Sequence, residues 1–187
     1  LQAMRRLGLD GAEEWTVECN PATVSADKAK LLREGGVTRI SMGVQSLDED
    51  LLDRLGRVHS RAMVFKSYDI LRNAGFERVN LDLMFAIPSQ TMPVWQDTLR
   101  EAIAMQPEHL SCYEVIYEQD TPLYEQLQAG EFDVQEELAC DMFEELVRTA
   151  GEEGFHQYEV ANFGQHLGVG AFEIPDEACR HNINYWR

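Results

Sequence analysis

Three segments of this chain end in a glycine followed by a hydrophobic residue, at Gly36, Gly75 and Gly154. A glycine at the end of a helix adopts the left-handed conformation that stops the helix, and the hydrophobic residue after it begins a buried strand. Strand patterns are predicted at 15–19, 39–44, 79–85, 109–115 and 157–161. Since these strands alternate with helical patterns, the sequence predicts an α/β fold of βαβ units, either a barrel or an open doubly wound sheet.

Four amphipathic helices are predicted in the intervals between the strands. Ser25 and Ser60 are the predicted N-caps of the first two helices, and the third follows Thr91. The apolar stripe of the fourth helix is Leu138, Met142, Leu146 and Ala150. The sequence has no GxGxxG or GxxxxGK loop, which disfavours a dinucleotide-binding or P-loop protein.

The composition excludes two classes of partner. The formal net charge of −17 gives a surface that repels phosphate backbones, so nucleic acid is not an expected partner. No apolar run approaches the length of a membrane span, and a soluble, cytoplasmic protein is predicted. Four cysteines lie far apart without metal-binding spacing, so no metal site is assigned to them, and reduced thiols are predicted, most of which pack in the interior. They are Cys19, Cys112, Cys140 and Cys179.

Asp82 interrupts the apolar run of the third strand, within the stretch NLDLMFAIPSQT. A strand that is covered on both faces is normally a continuous run of Val, Ile and Leu. An unpaired buried carboxylate costs several kcal/mol, on the order of what burying an ion demands. Asp82 is therefore expected either to meet a cationic partner inside the fold or to point into a polar site at the carboxyl end of its strand.

Polar residues also lie near the ends of the other predicted strands. They are Glu18 in the first, Gln45 and Ser46 after the second, and Tyr113 and Glu114 late in the fourth. Any single one of them is about as often a hydrogen-bonded structural residue as a ligand-binding one. Because the loops after parallel barrel strands line a common mouth, four such positions together favour a shared binding site there.

Four motifs resemble those of a known family. VECNP, SMGVQS, GRVHS and NLDLMFAIPSQT occur in this order, and together they resemble the radical S-adenosylmethionine (SAM) proteins related to oxygen-independent coproporphyrinogen III dehydrogenase. The resemblance covers nearly the whole chain and implies a partial (β/α)6 radical SAM barrel that lacks its first two strands and the C-terminal region. On this basis residues 1–164 are expected to form the later part of the barrel, and 165–187 an insertion and the start of the C-terminal region.

Two further signatures of the family do not occur in this sequence. The family holds a [4Fe-4S] cluster with a CxxxCxxC loop and contacts SAM with a glycine-rich turn, and neither is present here. We therefore expect the chain to be a fragment of a longer protein, with the cluster ligands upstream. The resemblance then implies that this segment alone binds no cluster and performs no radical chemistry.

By motif, Glu18, Gln45, Arg57 and Asp82 resemble the residues that contact SAM in this family. Their chemistry is suitable, since carboxylates accept hydrogen bonds from hydroxyl and ammonium groups and arginine binds a carboxylate through two parallel bonds. The alternatives are a surface ion pair for Arg57 and internal ion pairs of the two carboxylates with Arg39 or Arg57. No residue is expected to transfer protons.

The end of the chain reads CRHNINYW and contains an HNxxYW pattern that resembles the haem chaperones of this family. The implied function is to bind haem and pass it to an acceptor protein, with His181 as the candidate haem contact and Tyr185 and Trp186 stacking on the macrocycle. A hydrogen-bonded structural role is the alternative for His181. Two other functions stay open, namely coproporphyrinogen III oxidative decarboxylation and a metabolic barrel enzyme unrelated to SAM, so enzymatic activity itself is undecided.

Overall fold

The computed structural model describes residues 2–8, 10–166 and 174–185. Its strands are β1 (Thr16–Cys19), β2 (Arg39–Gln45), β3 (Arg78–Phe85), β4 (His109–Glu114), β5 (Phe155–Glu159) and β6 (Asn162–Gln165). Its helices are α1 (Gln2–Arg6), α2 (Ala26–Glu34), α3 (Glu49–Arg54), α4 (Arg61–Asn73), α5 (Met92–Ala104), α6 (Pro122–Gln128), α7 (Glu136–Glu152) and α8 (Arg180–Tyr185). A short 3₁₀ helix, Pro21–Thr23, follows β1.

All six strands form one sheet in the order β1-β2-β3-β4-β6-β5. The first four strands are parallel, whereas β6 runs antiparallel to β4 and β5 runs antiparallel to β6. Helices connect the parallel strands, as βαβ units require. The α/β fold predicted from the sequence is confirmed by this arrangement.

The parallel strands have one apolar face and one polar face. In β2, Ile40, Met42 and Val44 are fully buried, and the alternate positions Ser41 and Gly43 turn to the opposite face. β3 repeats the pattern with buried Val79, Leu81 and Leu83 alternating with Asn80 and Asp82. The apolar face packs against the helices, where Trp95 of α5 donates a hydrogen bond from Nε1 to the carbonyl of Met142 in α7 at 2.9 Å. In the described part of the chain the helices of the hydrophobic core pack on the apolar face, which leaves the polar face available to a ligand.

The predicted helix starts and stops are present. The hydroxyls of Ser25 and Ser60 accept hydrogen bonds from the backbone N–H groups of Lys28 and Met63. Gly75 and Gly154 have φ angles of 87° and 83°, a region in which a side chain would be strained. These local signals fix where each helix ends and the next strand begins.

The segment after α7 differs from the prediction. A single strand at 157–161 is wrong, because β5 begins at Phe155 and a tight turn at 160–161 leads into β6, which the sequence did not reveal. β6 has only four residues, three of them polar or glycine, so it has no apolar alternation to detect. The predicted domain boundary after residue 164 falls inside β6. The short helices α3, α6 and α8 were also not predicted, since none exceeds two turns.

Among the helices of the described residues, none combines the length and the apolarity that crossing a bilayer requires.

The free edge of β1 generates a test of the isolated chain. In the described part of the chain β1 pairs only with β2, so its other edge presents unpaired backbone groups. We expect the 187-residue chain to associate as its concentration rises, measured by light scattering after size exclusion. A Thr16→Lys substitution, which places a charge on this short strand, should reduce the association. A monomer at all concentrations with a sharp cooperative melt would contradict this expectation.

Candidate functional site

A cleft of about 1000 Å³ lies against the polar face of the parallel strands. At one end its walls include Glu18, Ser41, Gln45, Asn80 and Asp82. At the other end they include Cys179, Arg180, His181 and Asn182, from the beginning of α8. Tyr113 and Glu114 of β4 also line it. The cleft therefore joins the predicted SAM residues to the HNxxYW segment.

Four of the five residues predicted from the sequence are brought together here. Glu18, Gln45, Asp82 and His181 all line the cleft. Arg57 lies in the connection between α3 and α4, its side chain is exposed, and it is not part of the lining. The role of Arg57 toward SAM stays a prediction.

The Asp82 carboxylate is hydrogen-bonded by neutral side chains and not paired with a cation. Its carboxylate accepts hydrogen bonds from Asn80 Nδ2 at 2.7 Å and from Ser41 Oγ at 3.0 Å. Within the described residues no lysine or arginine nitrogen lies within ion-pair distance of it, so an internal ion pair is not the explanation of this charge. Burial raises the pKa of Asp82 to about 6, and the nearby charge of Glu18 adds to the rise against the lowering by its hydrogen bonds. Asp82 is thus a carboxylate that is held by neutral donors and, among the described residues, has no cation beside it.

Gln45 reaches the cleft through an irregularity at the end of β2. The pairing of β2 with β3 shifts between Gly43 and Gln45, and Gln45 has a φ angle of 67°. A Cβ atom at Gly43 would lie only 3.0 Å from Nε2 of Gln45. Glycine at 43 therefore leaves the space that the Gln45 side chain occupies beside the cleft.

The register of the sheet aligns polar side chains in two adjacent rows. Glu18, Ser41, Asn80 and His109 are successive pairing partners across β1 to β4. Gly43, Asp82, Ser111 and Asn162 are partners in the next row. Hydrogen bonds join the rows, including Ser111 Oγ to Asn80 Oδ1 at 3.2 Å. Ser41, Asn80, His109 and Ser111 were missed by sequence reasoning, although each occupies the alternate position of an otherwise apolar strand.

His109 continues this network toward α8. Its side chain is 1% exposed, with Nδ1 at 2.6 Å from Asn80 Oδ1 and Nε2 at 2.6 Å from the hydroxyl of Tyr158. Burial, with a smaller contribution from the Arg39 charge, lowers the pKa of His109 to about 3. His109 is therefore neutral at physiological pH.

Arg39 anchors the other end of the cleft. Its guanidinium, 1% exposed, donates from Nε to Glu14 Oε2 at 3.1 Å and from Nη2 to the carbonyl of Glu177 at 3.1 Å. Glu14 in turn accepts from the backbone N–H of Arg180 at 2.9 Å and from the Cys179 thiol at 3.4 Å. This buried ion pair holds the start of α8 against the sheet.

His181 lies on the first turn of α8 with an exposed side chain at the rim of the cleft. An exposed imidazole at a cleft can reach a ligand without first breaking internal contacts. Tyr185 is 74% exposed, whereas Trp186 lies outside the described residues.

The described residues contain no group of three or more histidine, cysteine or acidic side chains that could hold a metal ion. The four cysteines are free thiols. Burial, with a smaller contribution from the Asp82 charge, raises the pKa of Cys19 to about 12, and burial also raises the pKa of Cys112. Since a [4Fe-4S] cluster is held by several cysteines grouped around it, and the described cysteines form no such group, they do not fit a cluster.

The model of the radical SAM superfamily matches residues 1–102, more than half of the 187 residues of this chain. The chain therefore belongs to the radical SAM superfamily. The structure of the coproporphyrinogen III oxidase HemN from Escherichia coli superposes with a TM-score of 0.73 over 88% of this chain and 39% of that one, at 22% identity. This similarity, which concerns the fold alone, confirms the partial radical SAM barrel.

The sequence is also similar to curated proteins named heme chaperone HemW. It is 38% identical over 174 residues to the protein from Bacillus subtilis, covering 92% of this chain and 44% of the relative. It is 34% identical over 182 residues to the protein from Lactococcus lactis, covering 97% of this chain and 46% of the relative. These relatives agree with the family resemblance that the motifs indicated, over nearly the whole of this chain. The chain spans less than half of the length of these relatives.

Asp82→Asn tests the cost of the unpaired carboxylate. The pKa of Asp82 rises from 3.8 to about 6 on folding, so the folded state binds its proton more tightly, and stability falls as pH rises through this interval. Above pH 6 the ionised Asp82 carboxylate lowers the free energy of unfolding by about 1 to 3 kcal/mol, since each unit of pKa change corresponds to about 1.4 kcal/mol. The variant should unfold at higher denaturant concentration at pH 8, with a difference below about 1 kcal/mol at pH 4.

Asp69→Asn is the matched control, because Asp69 is an exposed carboxylate on α4. It should change the free energy of unfolding little at either pH. An Asp82→Asn variant that is equally or less stable than the wild type at pH 8 would contradict the proposed cost.

Proposed function

We propose that a protein containing this chain is a haem chaperone of the radical SAM superfamily, which binds haem and passes it to an acceptor protein. The single observation that carries the proposal is the shared cleft, with Glu18, Gln45 and Asp82 at one end and His181 at the other. The names of the curated relatives support the same function.

SAM fits the first end of this cleft by its chemistry. It carries hydroxyl and ammonium donors and a positive sulfonium, and the two carboxylates offer acceptors and negative charge. Asp82 has no cation beside it among the described residues, and Glu18 is exposed on β1. Gln45 both donates and accepts. These residues bind and orient the ligand, and none of them transfers a proton.

Membership of the superfamily implies SAM and a [4Fe-4S] cluster as cofactors. When SAM and the cluster are bound, they can supply radical chemistry. The chaperone proposal requires only that they are bound. The described cysteines do not fit the cluster, so the proposal assigns its ligands to other residues of the full-length protein. The cytoplasmic location predicted from the sequence stays a prediction.

Haem binding through His181 is tested with the full-length protein, purified anaerobically. We expect one haem per chain with a histidine-type Soret spectrum, and His181→Ala should weaken haem affinity about tenfold or more, equivalent to about 1.4 kcal/mol. His156→Ala is the matched control, since His156 is exposed on β5 and does not line the cleft. Equal haem affinity of the wild type and the His181 variant would contradict the assignment of His181.

The same preparation separates the chaperone from the alternative enzyme. Coproporphyrinogen III, SAM and a reductant are incubated with the protein, and porphyrin products are separated by chromatography. We expect no conversion. Oxidative decarboxylation would contradict the chaperone proposal and favour coproporphyrinogen III dehydrogenase. The absence of both turnover and haem binding would contradict both functions.

Arg57 is tested by SAM affinity. If its guanidinium binds the SAM carboxylate, Arg57→Ala should weaken SAM binding about tenfold, because a charge-assisted bidentate contact is lost. Arg54→Ala, which removes another exposed arginine three residues earlier, is the control and should leave affinity unchanged. Equal effects of the two substitutions, measured by isothermal titration without reductant, would show a general charge effect and contradict a specific contact.

A further inference from the structure

Three side chains connect Asp82 to the start of α8 in an unbroken series of hydrogen bonds. Asn80 Nδ2 lies 2.7 Å from the Asp82 carboxylate, and Asn80 Oδ1 lies 2.6 Å from His109 Nδ1. His109 Nε2 lies 2.6 Å from the Tyr158 hydroxyl. The Tyr158 oxygen lies 3.0 Å from the backbone nitrogen of Cys179, the residue before α8. The two ends of the cleft are thus in contact through the sheet that forms its floor.

The direction of every bond in this series is fixed by its ends. An ionised carboxylate only accepts and a backbone N–H only donates. Asn80 donates from its amide nitrogen to both Asp82 and Ser41, so its oxygen faces His109 and accepts. Neutral His109 carries its single proton on Nδ1, and Nε2 accepts the proton of Tyr158. The Tyr158 oxygen then accepts from Cys179 and from Asn182 Nδ2 at 3.3 Å.

Because all donors in this series of hydrogen bonds point toward Asp82, the bonds strengthen or weaken together. Each donor that points toward the carboxylate is polarised by the next, so a change at one end alters the strength of the bonds at the other. The members are also held firmly, since Asn80 and His109 are 4% and 1% exposed. A ligand that donates to Asp82 competes with Asn80 and Ser41 for the same oxygens. Its binding therefore changes the environment of Tyr158.

We infer that Asn80, His109 and Tyr158 are positioning residues that couple ligand binding at Asp82 to the placement of α8, and therefore of His181. The inference rests on the proposed function for the identity of its ligands, SAM at Asp82 and haem at His181. It adds that neither ligand binds independently of the other, and that the coupling passes through the Tyr158 hydroxyl. By thermodynamic reciprocity, SAM changes haem affinity by the same factor by which haem changes SAM affinity.

Tyr158→Phe in the full-length protein isolates the coupling, because it removes one hydroxyl and leaves the ring. Amide hydrogen exchange at Cys179 is measured without reductant, with and without saturating SAM. In the wild type SAM should change the exchange rate about fivefold, the lower end of usual allosteric couplings. In the variant exchange should be faster and should not respond to SAM. Tyr124→Phe, on α6 outside the cleft lining, is the control and should behave as the wild type.

Two results would overturn the inference. If SAM binds the wild type but leaves Cys179 exchange unchanged, the hydrogen bonds only satisfy buried polar groups. If the response to SAM persists in Tyr158→Phe, the coupling does not use this hydroxyl. A merely structural role would make exchange faster in the variant and would keep the response to SAM.

The nitrogen chemical shifts of the His109 ring, measured by NMR, test the same inference without haem and without a substitution at Tyr158. Nδ1 should carry the proton and Nε2 should shift when SAM is added, whereas a proton on Nε2 or an unmoved Nε2 signal would overturn the series. If SAM does not bind, the SAM site of the proposed function is wrong. The inference is then tested by Asp82→Asn, which must shift the Nε2 signal of His109. If haem does not bind but both responses to SAM appear, the haem function fails and the coupling is retained.

Discussion

The arrangement of this protein depends on one partly buried carboxylate, Asp82, that has no cation beside it in the described part of the chain. Asp82 is placed in a parallel strand whose opposite face is fully apolar, and its charge is stabilised by the neutral donors Ser41, Asn80 and Ser111. Removing a carboxylate from water is unfavourable unless enough donors replace the water. The neighbouring strands supply such donors because the register aligns their polar residues beside Asp82. The remaining capacity of the carboxylate is what makes this face a binding surface.

Sequence reasoning located the elements that have strong local signals. Serine caps and glycine stops fixed α2, α4 and the beginning of β5 to within a few residues. The anomalous charge of Asp82 left a cationic partner and a polar site open, and Asp82 lines a polar cleft. The hairpin of β5 and β6 was not predictable in this way. Its short strand is held by pairing with β4, a contact that is distant along the chain.

The site was predicted in part for the same reason. Motifs indicated Glu18, Gln45 and Asp82, since their residue types stand out against an apolar or glycine-rich context. His109 and Tyr158 carry no such signal, because each is unremarkable within its own strand and gains its role only from the register of three strands and the approach of α8. Arg39 likewise appeared available to Asp82, yet it pairs with Glu14, which is 4% exposed.

The antiparallel strand β6 determines how this sheet can be extended. It covers the outer side of β4 for three residue pairs, and β5 then continues the sheet in the antiparallel sense. In the described part of the chain the sheet has two edges, β1 and β5, and a strand that extends the uninterrupted run of parallel pairs adds beside β1. An engineer who divides such a barrel into two complementing halves would place the cut before β1, where the joining strand restores the parallel order, and would leave the hairpin intact.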